Sequence, residues 1–200
     1  DDYAFLIQAL LDLFEATSEA GYLQHAVRLA RTNLKQFEDE AGGFFSTLPN
    51  TPDLVLRMKD DYDGAEPSGN SVATDVLLRL AHLTGDEQFR AAADRSLRSF
   101  GPKLQAQPTI APQMLVALGR SLAEPEQVVI RCQSLDDRAA TVLGEHRRKF
   151  SPYASVLAIT DDGAAALREM APFLASLERK GRITVYECRS FACALPQNIV

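Results

Sequence analysis

The chain has 200 residues, with 21 Lys and Arg against 27 Asp and Glu, for a formal charge of −6. Hydrophobic residues make up 46%, enough for a folded core, which excludes a disordered chain; the net acidity argues against a general nucleic-acid binder. No run reaches the ~18 apolar residues of a membrane span, so neither a span nor a signal peptide is expected, and the Met-less start Asp1-Asp2-Tyr3 reads as part of a longer protein.

In chain order, Phe5, Leu6, Leu10, Leu13, Phe14 and Thr17 recur at helical spacing and predict a one-faced helix over 3–17. Gly21 punctuates a turn. Leu23, Ala26, Val27, Ala30, Leu34 and Phe37 then predict a second, antiparallel helix. Between Glu38 and Asp53 the period breaks, and the runs Gly43–Leu48 and Leu54–Lys59 read as extended pieces able to form a small hairpin.

Helical period returns with Val72, Val76, Leu77, Leu80 and Leu83, turns at Gly85-Asp86, and resumes with Phe89, Ala92, Ala93, Leu97 and Phe100. This second hairpin repeats the first at an offset of 66 positions: Leu10 falls on Val76, Phe14 on Leu80 and Leu23 on Phe89. Repeated αα-hairpins that stack on one another mark a helical array or toroid. A shorter helix around Ala111 to Leu122 would be half of a third hairpin, or a cap.

Past Pro125 the grammar becomes strand–helix–strand–helix–strand. The strands are 127–132, 153–160 and 182–188; the helices are 135–149 and 164–177, with Pro172 a breaker in the second. Such alternation predicts a small three-stranded parallel sheet with helices. The fold class expected is therefore mainly α, with helical hairpins over 1–124 and an α/β unit over 125–200.

The densest chemistry lies in the run from Arg57 to Ser71. Asp61, Asp63 and Glu66 are candidate catalytic carboxylates, and a pair such as Asp63 and Glu66 could divide general acid and base work. Tyr62, Ser68 and Asn70 are candidate substrate-binding groups, with Ser68 or Asn70 also able to cap the helix that follows. The same residues could instead satisfy the loop's own backbone, the role expected for Asp63 in particular. His25, His82 and His146 share no ligand spacing, so no metal is expected, and no cofactor motif occurs. Cys188 and Cys193 are expected as reduced thiols, although a disulfide is open if the chain turns back. Three cysteines suit a reducing compartment, here the cytoplasm.

The run Tyr62-Asp63-Gly64-Ala65-Glu66-Pro67-Ser68-Gly69-Asn70-Ser71 carries a resemblance. So do Asp2–Ile7, Gly42-Gly43-Phe44-Phe45 and Tyr186–Cys193. Together they resemble the C-terminal part of the family of YyaL-type bacterial proteins and their spermatogenesis-associated animal relatives. The resemblance implies an N-terminal thioredoxin-like domain outside this chain, and a remainder similar to the (α/α)6 toroids of six-hairpin glycosidases and N-acylglucosamine 2-epimerases. The hairpins here would then be the last of an incomplete ring, with a carbohydrate ligand in a pocket lined by the loop 60–71. The remaining hairpins, or a second copy, would cover an exposed apolar face. Two functions follow as expectations: part of a carbohydrate-active hydrolase or epimerase, inactive as a fragment, or a non-catalytic interaction domain supporting the thioredoxin-like part.

Overall fold

The computed structural model describes residues 1–199. The chain divides into two compact units: one of residues 1–11, 25–82 and 86–122, the other of 12–24, 83–85 and the chain from Ala123 onward.

The helices of the first part are α1 (Asp2–Thr17), α2 (Ala20–Phe37), α3 (Gly69–Thr84), α4 (Glu87–Ala106) and α5 (Pro112–Leu122). In α2 the expected stripe is the buried one, with Leu23, Ala26, Val27, Ala30 and Leu34 all inside. In α1 it is not. Ala4, Ile7, Leu11 and Phe14 are buried, whereas Phe5, Leu6 and Leu13 lie exposed. The helix is apolar on more than one side, so apolar spacing alone could not select the inward face. Leu115, Val116 and Leu122 of α5 are exposed as well.

The α1–α2 turn sits at Ser18, with φ of 66°, and Gly21 already belongs to α2. Between α3 and α4 the turn falls at Gly85, φ 72°, and Asp86 caps α4 by accepting from the Gln88 amide. No hairpin forms from 43–48 and 54–59. They share one backbone bond, Ser46 N–H to Met58 O at 2.8 Å, and Phe44 makes an isolated bridge to Glu38. Pro49 and Pro52 cannot donate to a ladder, and Asn50 and Asp53 take positive φ. Gly42, φ 96°, is required where it stands: a Cβ there would lie 2.2 Å from the Arg95 carbonyl oxygen.

In the second unit β1 (Glu126–Cys132), α6 (Asp137–Arg147) and β2 (Ser155–Thr160) form the expected parallel crossover, with Val129 opposite Leu157. Beyond it the sheet is mixed. β3 (Ile183–Arg189) runs antiparallel to β1, and β4 (Ala192–Cys193) and β5 (Gln197–Ile199) pair antiparallel to β3. The expected three-stranded parallel sheet is thus corrected. Pro172 splits the anticipated helix into α7 (Asp161–Leu167) and α8 (Pro172–Ser176). One helix returns a chain to the opposite end of a sheet; two short ones return it to the end it left. Arg179 bonds Asp161 at 2.9 Å, so the chain re-enters beside the end of β2 and β3 runs the other way.

The cysteine expectation is also corrected. Cys188 and Cys193 form a disulfide, and Cys132 is the free, buried cysteine among the described residues. Ser190 and Phe191, both at positive φ, turn the chain back and set Cys193 directly opposite Cys188. The argument for a reducing compartment loses its premise. Among the described residues no helix is long and apolar enough to cross a membrane.

Candidate functional site

The loop from Asp60 to Ser68 feeds the first turn of α3, and its six candidate residues fall into two sets. Asp63 is 8% exposed. Its Oδ1 accepts the Ser68 amide at 2.8 Å, and its Oδ2 accepts the amides of Gln113 at 2.7 Å and Met114 at 3.4 Å. Its own amide donates to Ile110 O at 2.9 Å. Gln113 and Met114 are the second and third residues of α5, whose N-terminal amides have no partner within the helix. Ala111, just before that helix, has no side-chain oxygen to cap it. Asp63 does so from 50 residues away, where negative charge is favoured by the helix dipole.

Ser68 caps α3, its Oγ accepting the Ser71 amide at 3.2 Å and donating to or accepting from the Ser71 hydroxyl at 2.9 Å. Asn70 is buried with its amide saturated by backbone: Oδ1 accepts Phe44 N–H at 2.6 Å, and Nδ2 donates to Phe44 O at 3.0 Å and Asp60 O at 2.9 Å. It therefore pins the Gly42–Phe45 stretch to the start of α3. Gly43 sits at φ 80°, a conformation that favours glycine, and a Cβ there would press on Phe100 at 3.0 Å and on Asn70 Oδ1 at 3.1 Å.

The other three face outward. Asp61 pairs with Lys103 at 2.5 Å with both side chains about two-fifths exposed, a geometry worth little in water. Tyr62 is 62% exposed. Glu66 is exposed and has no hydrogen bond or ion pair among the described residues. Asn70 borders a void of about 30 Å³ with Tyr3, Asn33 and Phe37, while Asp61 borders another of about 10 Å³. Both are far below the ~300–1,000 Å³ of small-molecule sites, and neither brings Asp63 and Glu66 together. Among the described residues no group of three or more His, Cys, Asp or Glu is placed to hold a metal ion.

Residue spacing alone did not reveal the partners of Asp63 at Ile110, Gln113 and Met114, because they are backbone groups far along the chain. The available signal was Ala111-Pro112, a helix start with Pro at its first position and no capping side chain of its own.

No family model matches the chain. It is similar to spermatogenesis-associated protein 20 of Homo sapiens, 36% identical over 201 residues, and of Mus musculus, 37% identical over 200 residues. Each match covers 98% of this chain and 25% of the relative. An uncharacterised protein of Caenorhabditis elegans is 33% identical over 98% of the chain and 26% of its own length. The chain thus spans about a quarter of the curated relatives it matches, and the resemblance read from its motifs holds over nearly its whole length.

Proposed function

We propose, from this likeness to one quarter of a longer family of chains, that the protein is a non-catalytic support and interaction domain whose motif loop is a structural clasp. The observation that carries this reading is the bonding of Asp63: three backbone amides from two helix starts occupy a carboxylate that a catalytic role would need facing substrate. Asn70 and Ser68 support it, since their polar groups are likewise taken up by backbone and by Ser71. On this reading the two helix pairs over 1–124 are the last hairpins of an (α/α)6 ring completed by the rest of a longer chain. The α/β unit over 125–200 is attached to them, and the thioredoxin-like part lies elsewhere in that chain.

A carbohydrate-active role for the longer protein would draw on Glu66 and Tyr62, the two motif side chains left facing solvent. The test separates the two. Asp63→Asn in the longer protein replaces a charged acceptor of three amides, and charge-assisted bonds are worth about 1.5–3 kcal/mol each. Calorimetry with a panel of monosaccharides and thermal melting are run on wild type and variant. A lowered melting temperature with no sugar heat in either protein is the expected result. Sugar binding that disappears in a variant of unchanged melting temperature would overturn the clasp.

A further inference from the structure

The α/β unit contains a half-open cavity of about 490 Å³ at the end of the sheet where β1 begins. Its origin is a mismatch of lengths. β1 has seven residues and spans about 23 Å, whereas the eleven residues of α6 cover about 16 Å. Ala139, Val142 and Leu143 of α6 cover Ile130, Cys132, Ala158 and Val185, with Val128 and Val156 only partly buried at the margin of that core. Beyond the helix end Val128, Val156 and Ala154 line open space. Phe150, the large apolar side chain nearest in sequence that could fill it, is 94% exposed.

The charged groups around this apolar floor are unequally engaged. Glu126 accepts from Arg189 at 2.9 Å and from the Ser151 hydroxyl at 3.4 Å. Glu187 lies 3.9 Å from His146 Nε2, and the other ring nitrogen of His146 is 3.0 Å from the Val142 carbonyl. Lys149 also lines the cavity. Arg189 thus holds Glu126, and Lys149 stands beside the apolar floor with no carboxylate pairing with it among the described residues. The volume lies within the ~300–1,000 Å³ of small-molecule sites.

We infer that this cavity binds a small amphipathic carboxylate, its apolar chain along Val128, Val156 and Ala154 and its carboxylate at Lys149. The site is separate from the motif loop and stands whether or not that loop is a clasp. Octanoate is the probe, with octanol as its uncharged counterpart, titrated calorimetrically into the chain and followed by amide NMR shifts. Octanoate saturates the site with a Kd below about 1 mM, moving the Val128, Val156 and Lys149 amides. Lys149→Gln weakens octanoate about fivefold, the scale of one exposed ion pair, and leaves octanol unchanged. Ala194→Trp, an exposed cavity-wall position whose amide bond to Glu187 O survives substitution, fills the space and weakens both probes about tenfold or more. Absence of saturable octanoate binding in a folded wild type, or equal affinity in all three proteins, overturns the site. Octanol binding as tightly as octanoate overturns the carboxylate assignment.

Discussion

Asp63 in the helical unit and Glu126 in the α/β unit are both carboxylates held by several donors, yet the donors differ in kind. Asp63 is bound by backbone amides at two helix starts and is buried. Glu126 is bound by the flexible side chains of Arg189 and Ser151, at the rim of an open cavity. Backbone donors cannot leave without breaking secondary structure, so a group bonded to them is committed to the fold. Side-chain donors at a rim can exchange partners when a ligand arrives. A dense polar motif in sequence does not tell these cases apart; the source of the donors does.

Beyond Asp63 itself, the largest effect that sharpens this contrast is in pH. His82 on α3 is buried, and burial first, then the charge of Arg120, lower its pKa from 6.5 to about 4. Arg120 is itself held by Asp75 at 2.7 Å. With the folded pKa below the unfolded one, only the unfolded chain takes the proton between them. Stability is therefore full above pH 6.5, falls as pH drops toward 4, and levels below that, a loss of about 3 kcal/mol. In the α/β unit Asp161 is lowered by hydrogen bonding to Arg179, and Asp136 by the Ala139 amide and Arg182, so those contributions persist until the carboxylate range is reached. Urea titrations at pH 7, 6, 5 and 4 should give a falling midpoint that His82→Gln flattens. An unchanged slope in that variant would remove His82 from the account.

A smaller loss is expected from opening the Cys188–Cys193 bridge, which closes a short loop. Chain-entropy arguments put that at about 2 kcal/mol, read as the melting shift of Cys193→Ser. Thiol titration of the denatured, unreduced chain should count one group, Cys132, and three after reduction. Three before reduction would restore the original expectation for this pair.

These two cases also mark where sequence was sufficient. Helix α2 was legible because its apolar residues occupy one stripe; α1 was ambiguous because Phe5, Leu6 and Leu13 add a second apolar side. The first two strands and their crossover helix were legible from alternation and length. The direction of β3 was not, because it depends on whether Pro172 leaves one helix or two, and on where the second ends. The disulfide was hidden by its turn: Ser190 and Phe191 both adopt positive φ without the Gly or Asn that ordinarily signals it. At the motif, Ser68 was readable as a cap because its target lies three residues ahead. Asp63's role depended on helix starts that only tertiary folding brings near. The cavity beside Val128 arises from a helix shorter than its strand, and helix ends are poorly fixed by sequence.

The smallest effect is the most discriminating for the motif itself. Glu66 sits three residues from Asp63, in the same loop and of the same charge, but it is exposed and holds no hydrogen bond or ion pair among the described residues. Replacing it with Gln removes no fold contact, so the unfolding free energy should stay within the about ±0.5 kcal/mol typical of such surface changes. The paired comparison with Asp63→Asn holds loop, charge change and side-chain chemistry alike, so a difference in stability reports the buried, backbone-bonded setting of Asp63 against the exposed one of Glu66. In the longer protein the same Glu66→Gln change has a second use. If the clasp is the whole function of the motif, no ligand response depends on Glu66, and wild type and variant give superimposable sugar titrations. A sugar titration that Glu66→Gln abolishes at constant stability would assign the exposed half of the motif to a ligand, leaving Asp63, Ser68 and Asn70 as the frame that presents it.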